Sequence, residues 1–122
     1  MDNSNGAESS EKLQGWLKKK GDKGPIKTWK NRWFDYNEAK KRLYYFKDKH
    51  EAEMGYIDLS RIKAVYKLPN VAFGFAFSVP GRNYVLQAFS EAERDEWLQG
   101  VLSRTGLQLA PPTKRERKDS MA

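Results

Sequence analysis

GWLKKK at residues 15–20 and KTWKNRWF at residues 27–34 are the two stretches that decide the fold. A short segment containing glycine and proline separates them, as expected of two antiparallel strands joined by a turn. Alternation of side chains along the second strand places Lys30 and Arg32 on the same face as Phe34. Because an unpaired charge inside a sheet is very costly, these cations require an open, wet end of the sheet. The pattern therefore predicts an anion-binding pocket at the mouth of a small barrel.

The composition indicates one globular domain. The chain has 122 residues, 39% of them hydrophobic, which is enough to bury a core. It contains no cysteine, so disulfides, zinc–thiolate sites and thiol nucleophiles are excluded. No apolar run approaches the ~18 residues of a membrane-spanning helix, and residues 1–11 are polar and acidic, unlike a signal peptide.

Positive charge is concentrated in the first part of the chain. The formal net charge is +7, yet residues 12–49 alone hold 13 Lys and Arg side chains against four acids, a local charge of +9. Such an asymmetry indicates a polyanionic partner, which could be a lipid headgroup, a nucleic acid or an acidic protein face. The alternative is a basic surface that serves solubility only.

Seven short strand-like runs are predicted, with turn signals between them. They lie near residues 12–20, 28–36, 42–48, 54–59, 61–67, 73–79 and 83–89. We therefore expect a mainly β protein with a seven-stranded, strongly bent antiparallel sheet, or partly open barrel. The domain is expected to span residues 12–106, between a flexible N-terminal segment at 1–11 and a flexible basic tail at 107–122.

One helix is predicted after the last strand. Ser90 begins a capping box with Glu93 at the third helical position. An apolar stripe follows, and Gly106 can end the helix. The stripe consists of Trp97, Leu98, Val101 and Leu102. We expect this helix to cap one end of the curled sheet and to leave the other end, with the first loops, free to bind.

Taken in this order and spacing, the motifs resemble those of the pleckstrin homology (PH) domain over residues 12 to 105. They are GWLxK at 15–19, KTWKxRWF at 27–34, LYYF at 43–46, GYIDL at 55–59 and Trp97 in the C-terminal helix. The segment GPIK at 24–27, together with DLS at 58–60, is most similar to the PH domains of TBC-type Rab GTPase-activating proteins of the Armus kind.

The resemblance implies binding of inositol phospholipid headgroups, with 3-phosphorylated lipids favoured in one subset of the family. The pocket motif of that subset falls on Lys19, Lys30, Arg32 and Tyr45 of this sequence. Four further lysines are expected to face an anionic leaflet, namely Lys18, Lys20, Lys23 and Lys27. The alternative for the pocket cations is surface ion pairing with Asp35, Glu38 or Asp48.

Catalysis is not expected. His50 is the only histidine and lies in an acidic loop, and no serine has a plausible base. We expect no cofactor or metal, and a monomer located in the cytoplasm that associates peripherally with membranes. The main alternative is a protein-interaction module that binds a peptide or a small GTPase on the same fold. Binding of single-stranded nucleic acid ranks third and is not expected.

Overall fold

The computed structural model describes residues 12–21 and 28–111, which contain seven strands, one short 3₁₀ helix and one α-helix. The strands are β1 Gln14–Lys20, β2 Trp29–Asn37, β3 Arg42–Phe46, β4 Glu53–Asp58, β5 Ala64–Leu68, β6 Gly74–Val79 and β7 Arg82–Gln87. The 3₁₀ helix spans Leu59–Arg61 and the α-helix, α1, spans Glu91–Thr105. Within the described residues no helix has the length and apolar character needed to cross a membrane.

The strands form one antiparallel sheet in the order β4-β3-β2-β1-β7-β6-β5. The sheet bends so that one face of both halves encloses a single core. Fully buried core side chains come from β1–β4 (Leu17, Phe34, Leu43, Ile57) and from β5–β7 (Val65, Phe75, Phe77, Leu86). The predicted fold, a bent antiparallel sheet with one C-terminal helix, is confirmed.

Among the strand boundaries that differ from the prediction, two have clear local causes. The fifth strand was expected at residues 61–67, but Leu59–Arg61 forms the 3₁₀ helix and β5 begins at Ala64. The Asp58 carboxylate accepts hydrogen bonds from the backbone N–H and the hydroxyl of Ser60, at 3.0 and 2.6 Å. Such local bonds compete with the sheet ladder and turn the chain. The third strand ends at Phe46, where the register with β4 shifts.

Helix α1 has the predicted caps. The Ser90 hydroxyl accepts a hydrogen bond from the Glu93 N–H at 3.1 Å, and Gly106 ends the helix in the left-handed conformation with φ 75°. Trp97, Leu98 and Val101 are buried, and the Trp97 ring meets the Phe34 ring edge-on at 6.2 Å. The helix therefore covers one end of the sheet, as expected.

The chain stays in contact with the sheet after α1. Leu107 packs against the core, and Leu109 forms a parallel bridge with Val65 on β5. The Ala110 N–H donates to the Val65 carbonyl at 2.8 Å. These contacts lie beyond residue 106, at which the domain was predicted to end. The predicted flexible segment at 1–11, and the tail from residue 112, lie outside the described residues.

Candidate anion-binding site

Three of the predicted ligands lie on the core face of the sheet. In the register of β1 and β2, Lys19 is opposite Lys30, and Leu17 is opposite Arg32. Directly opposed residues share a face, and Leu17 on this face is fully buried. The alternation predicted from the sequence, with Lys30 and Arg32 on the Phe34 side, is therefore confirmed.

The cations occupy the end of the core face that α1 does not cover. The helix packs near the start of β1, where a Cβ at Gly15 would lie 3.4 Å from Cζ2 of Trp97. Lys19 lies near the end of the same strand, next to the loop that leads to β2. The register places the β3–β4 and β6–β7 connections at this end as well. We call it the open end of the sheet.

Tyr45 lies directly beside Lys19. The Nζ atom of Lys19 is 4.8 Å from the centre of the Tyr45 ring, within the range of a cation–π interaction. Tyr45 is opposite Phe34 on β2 and opposite Gly55 on β4. A Cβ atom at Gly55 would lie 2.6 Å from the Tyr45 hydroxyl. The absence of a side chain at residue 55 thus makes room for the tyrosine.

β7 contributes a cation and an aromatic ring that the sequence analysis did not assign to the site. The Nζ atom of Lys19 is also 5.9 Å from the Tyr84 ring, and the guanidinium carbon of Arg82 is 4.1 Å from that same ring. The predicted last strand begins at residue 83, which leaves Arg82 in the preceding turn. Starting β7 at Arg82 puts Arg82, Tyr84 and buried Leu86 on one face.

Two of the three carboxylates considered as alternative ion-pair partners are bound elsewhere. Asp35 Oδ1 lies 3.0 Å from Nζ of Lys12, and Glu38 Oε2 accepts hydrogen bonds from Arg104 at 2.9 and 3.1 Å. Arg32 instead donates to the Asn31 carbonyl at 2.8 Å. Asp35 and Glu38 therefore do not explain the cations at the open end.

The lysines expected to face a membrane flank this cluster on the outer face of the sheet. Lys18 is opposite Asn31, and Lys20 is opposite Trp29. The Nζ atom of Lys18 lies 5.7 Å from the Phe89 ring, and that of Lys20 lies 5.8 Å from the Trp29 ring. Lys23 and Lys27 lie outside the described residues.

The β3–β4 connection adds Lys49 to the outer face, where its Nζ atom is 4.8 Å from the Trp33 ring. Cations therefore lie on both faces of the sheet around the open end. His50, in the same connection, is exposed. Among residues 12–21 and 28–111, no three His, Cys, Asp or Glu side chains cluster in a way that could hold a metal ion. What the cluster offers chemically is a set of cationic donors for an anion with several negative groups.

The chain is similar to known proteins in sequence. A model of the PH domain family matches residues 11–105. The chain is 35% identical over 111 residues to human TBC1 domain family member 2A, covering 89% of this chain and 12% of that protein. It is 33% identical over 90 residues to a PH domain-containing protein of Dictyostelium discoideum, covering 73% and 10%. The chain thus spans about a tenth of the length of these curated relatives.

Solved structures of PH domains are also similar to this chain. The solution structure of the PH domain of human TBC1 domain family member 2 has a TM-score of 0.71 and 32% identity, covering 86% of this chain and 92% of that one. The crystal structure of the C-terminal PH domain of pleckstrin in complex with D-myo-Ins(1,2,3,5,6)P5 has a TM-score of 0.68 and 28% identity, covering 76% and 93%.

Proposed function

Because the chain belongs to the PH domain family, we propose that it binds phosphoinositide headgroups at the open end of its sheet. Binding there attaches the domain peripherally to the cytoplasmic side of a membrane. The domain recruits and does not catalyse, as is general for PH domains.

The observation that carries the proposal is the register of β1 and β2, in which Lys19, Lys30 and Arg32 share the core face toward the end that α1 leaves open. An inositol headgroup presents several phosphates on one rigid ring. The planar guanidinium of Arg32 can hold one phosphate through two N–H donors, while the lysines act as point charges on others. Arg82, stacked on Tyr84, adds a further cation from β7.

A relative of known structure supports this ligand class. The C-terminal PH domain of pleckstrin, which is 28% identical to this chain, was solved with two different inositol pentakisphosphates. A sheet and helix of this kind can therefore accept a multiply phosphorylated inositol ring.

We further propose a preference for lipids phosphorylated at the 3-position. This step depends on the motif carried over from the family onto Lys19, Lys30, Arg32 and Tyr45. Lys18 and Lys20, together with Lys23 and Lys27 of the loop, would add a less specific attraction to anionic lipid. Each such lysine contributes about 1 kcal/mol near the surface, and the contribution falls off within a Debye length.

The test is sedimentation with liposomes of matched net charge, each carrying one phosphoinositide isomer. Wild type is compared with Lys30→Ala/Arg32→Ala and with a control of equal charge change, Lys40→Ala/Arg61→Ala. Lys40 and Arg61 are both exposed, in the β2–β3 turn and in the 3₁₀ helix, away from the open end. We expect isomer-selective binding that the first double variant loses and the control retains.

Two results would contradict the proposal. Equal binding to every anionic liposome, scaling with charge alone and fading with salt, would reduce the cluster to nonspecific attraction. No binding to any liposome would favour the alternative of a protein-interaction module for a peptide or a small GTPase. In that case the partner's binding should not respond to loss of Lys30 and Arg32.

A further inference from the structure

The segment after α1 runs along β5 toward a cleft in the surface. This cleft lies at the opposite end of the sheet from the anion site. Leu109 pairs with Val65 in the parallel sense, so the following residues advance in the direction of Leu68. β5 is the last strand in the order of the sheet, and its outer edge is the one that this segment meets. Pro111 and Pro112 carry no N–H and cannot extend this pairing as donors.

Ahead of the segment lies an open cleft of about 500 Å³ between the β5–β6 connection and the start of α1. Its apolar wall includes Leu68, Pro69, Val71 and Phe73. Glu91 and Arg94 line its helix side, and Lys67 lines the side of β5. The connection is held in place, since the Phe73 carbonyl accepts from the Ala88 N–H at 3.0 Å. Phe73 itself has φ 58°, a conformation that is rare for a large side chain, and 37% of its surface is exposed.

The first two turns of α1 beside this cleft are acidic. Glu91, Glu93, Asp95 and Glu96 are exposed, and the one cation among them, Arg94, is only 15% exposed and contacts Glu91 and Asp95. These turns therefore carry a formal charge of −3. The sequence KRERK at residues 114–118 is of opposite sign, with four cations and one acid.

The reach of the chain fits this surface. Val65 to Leu68 spans three residues, about 10 Å of strand, so an equally extended segment would bring Pro112 level with Leu68. Residues 114 and 115 would then arrive beside the cleft and the acidic turns. We propose that residues 112–118 dock back onto the domain here, with the prolines along the apolar wall and KRERK against the acidic start of α1.

This docking is independent of the phosphoinositide proposal. It would keep four cations at the end of the domain that faces away from the anion site. The alternative is that these four cations bind an anionic surface at the open end of the sheet.

The test uses the absence of native cysteine, because a single Ser120→Cys variant carries one nitroxide label at a defined position. Attenuation of backbone amide signals by the label is mapped by NMR in the 122-residue chain. It is compared with a variant whose tail is neutral, Lys114→Gln/Arg115→Gln/Arg117→Gln/Lys118→Gln. We expect severalfold stronger attenuation at residues 69–73 and 91–96 with the native tail, lost in salt of about 1 M, where the Debye length is ~3 Å.

A second pair of variants tests the helix side. Glu91→Gln/Glu96→Gln should weaken the attenuation, whereas the control Glu51→Gln/Glu53→Gln, which removes the same charge around the start of β4, should not. Unfolding temperatures of all variants check that the fold is kept. Equal attenuation with native and neutral tails would mean simple tethering and would overturn the proposal. Attenuation that is absent, or centred on the open end near Lys19, would overturn it as well.

Discussion

The ammonium nitrogen of Lys19 lies 4.8 Å from the centre of the Tyr45 ring, which makes the tyrosine a support for the cation. The Tyr45 ring is in turn held in position, because it fills the space left by Gly55 on the neighbouring strand. A tyrosine with no charge, and a glycine with no side chain, thus help to set where the cation of Lys19 lies, at the end of the sheet where we propose that phosphate binds.

We expect Gly55→Ala to impair headgroup binding without changing any charge. The added Cβ would lie 2.6 Å from the Tyr45 hydroxyl and 2.9 Å from Cζ, so the ring must move and Lys19 with it. Overpacking of this kind costs about 1–3 kcal/mol of stability. Gly21→Ala, whose Cβ would be 3.7 Å from the nearest atom, is the control at the same end of the sheet. Isomer-specific liposome binding and urea denaturation measure the two effects, and unchanged binding by Gly55→Ala would contradict the role given to Tyr45.

Arg82→Ala should weaken headgroup binding about ten- to a hundredfold, because a charge-assisted hydrogen bond contributes about 1.5–3 kcal/mol. The guanidinium stacks on Tyr84, beside which Lys19 also lies. Arg61→Ala removes the same charge from an exposed position in the 3₁₀ helix and should leave affinity nearly unchanged. Titration calorimetry with a soluble inositol phosphate gives both values, and equal losses would mean that only net charge matters.

Arg104 lies near the C-terminal end of α1, yet we expect its side chain to contribute to the free energy of unfolding. Its guanidinium donates to Glu38 and to the Gly100 carbonyl, and stacks 5.3 Å from the Tyr36 ring. We expect Arg104→Ala to lower the free energy of unfolding by about 1–3 kcal/mol, and Glu38→Ala to lower it by less. A double-mutant cycle in urea should give a coupling energy above about 0.5 kcal/mol. A coupling near zero would show that the packing of Arg104, and not the ion pair, stabilises the helix end.

Stability should fall in alkali partly through Tyr36. Burial, followed by the nearby Glu38 carboxylate, raises the pKa of Tyr36 above its ordinary value of 10.0. The unfolded chain therefore loses this proton first, and the contribution of Tyr36 is complete below pH 10 and decreases as pH rises toward the folded-state pKa. Urea denaturation between about pH 8 and 11 should show a smaller decline for Tyr36→Phe than for wild type. Parallel declines would mean that Tyr36 does not contribute to the pH dependence.

Much of the fold follows from patterns within single elements. The two-residue alternation of β2 assigned Lys30 and Arg32 to the core side, and Ser90 and Gly106 marked the ends of α1. The motif spacing also identified the PH family and the TBC-type relatives, both of which are confirmed. The alternation and the caps are local signals, since each depends on residues a few positions apart, whereas the family resemblance depends on the order of several such motifs along the chain.

The composition of the site beyond these residues depends on strands distant in sequence. Tyr84 of β7, on which Arg82 stacks, lies beside Lys19 only because β7 pairs with β1, and Glu38 meets Arg104 across 66 positions of the chain. The sequence by itself determined the alternation, the helix caps and the family. The tertiary structure alone decided which distant side chains share the open end, because the strand order that brings β7 beside β1 arises from packing of the whole core and is not encoded by the alternation within any one strand.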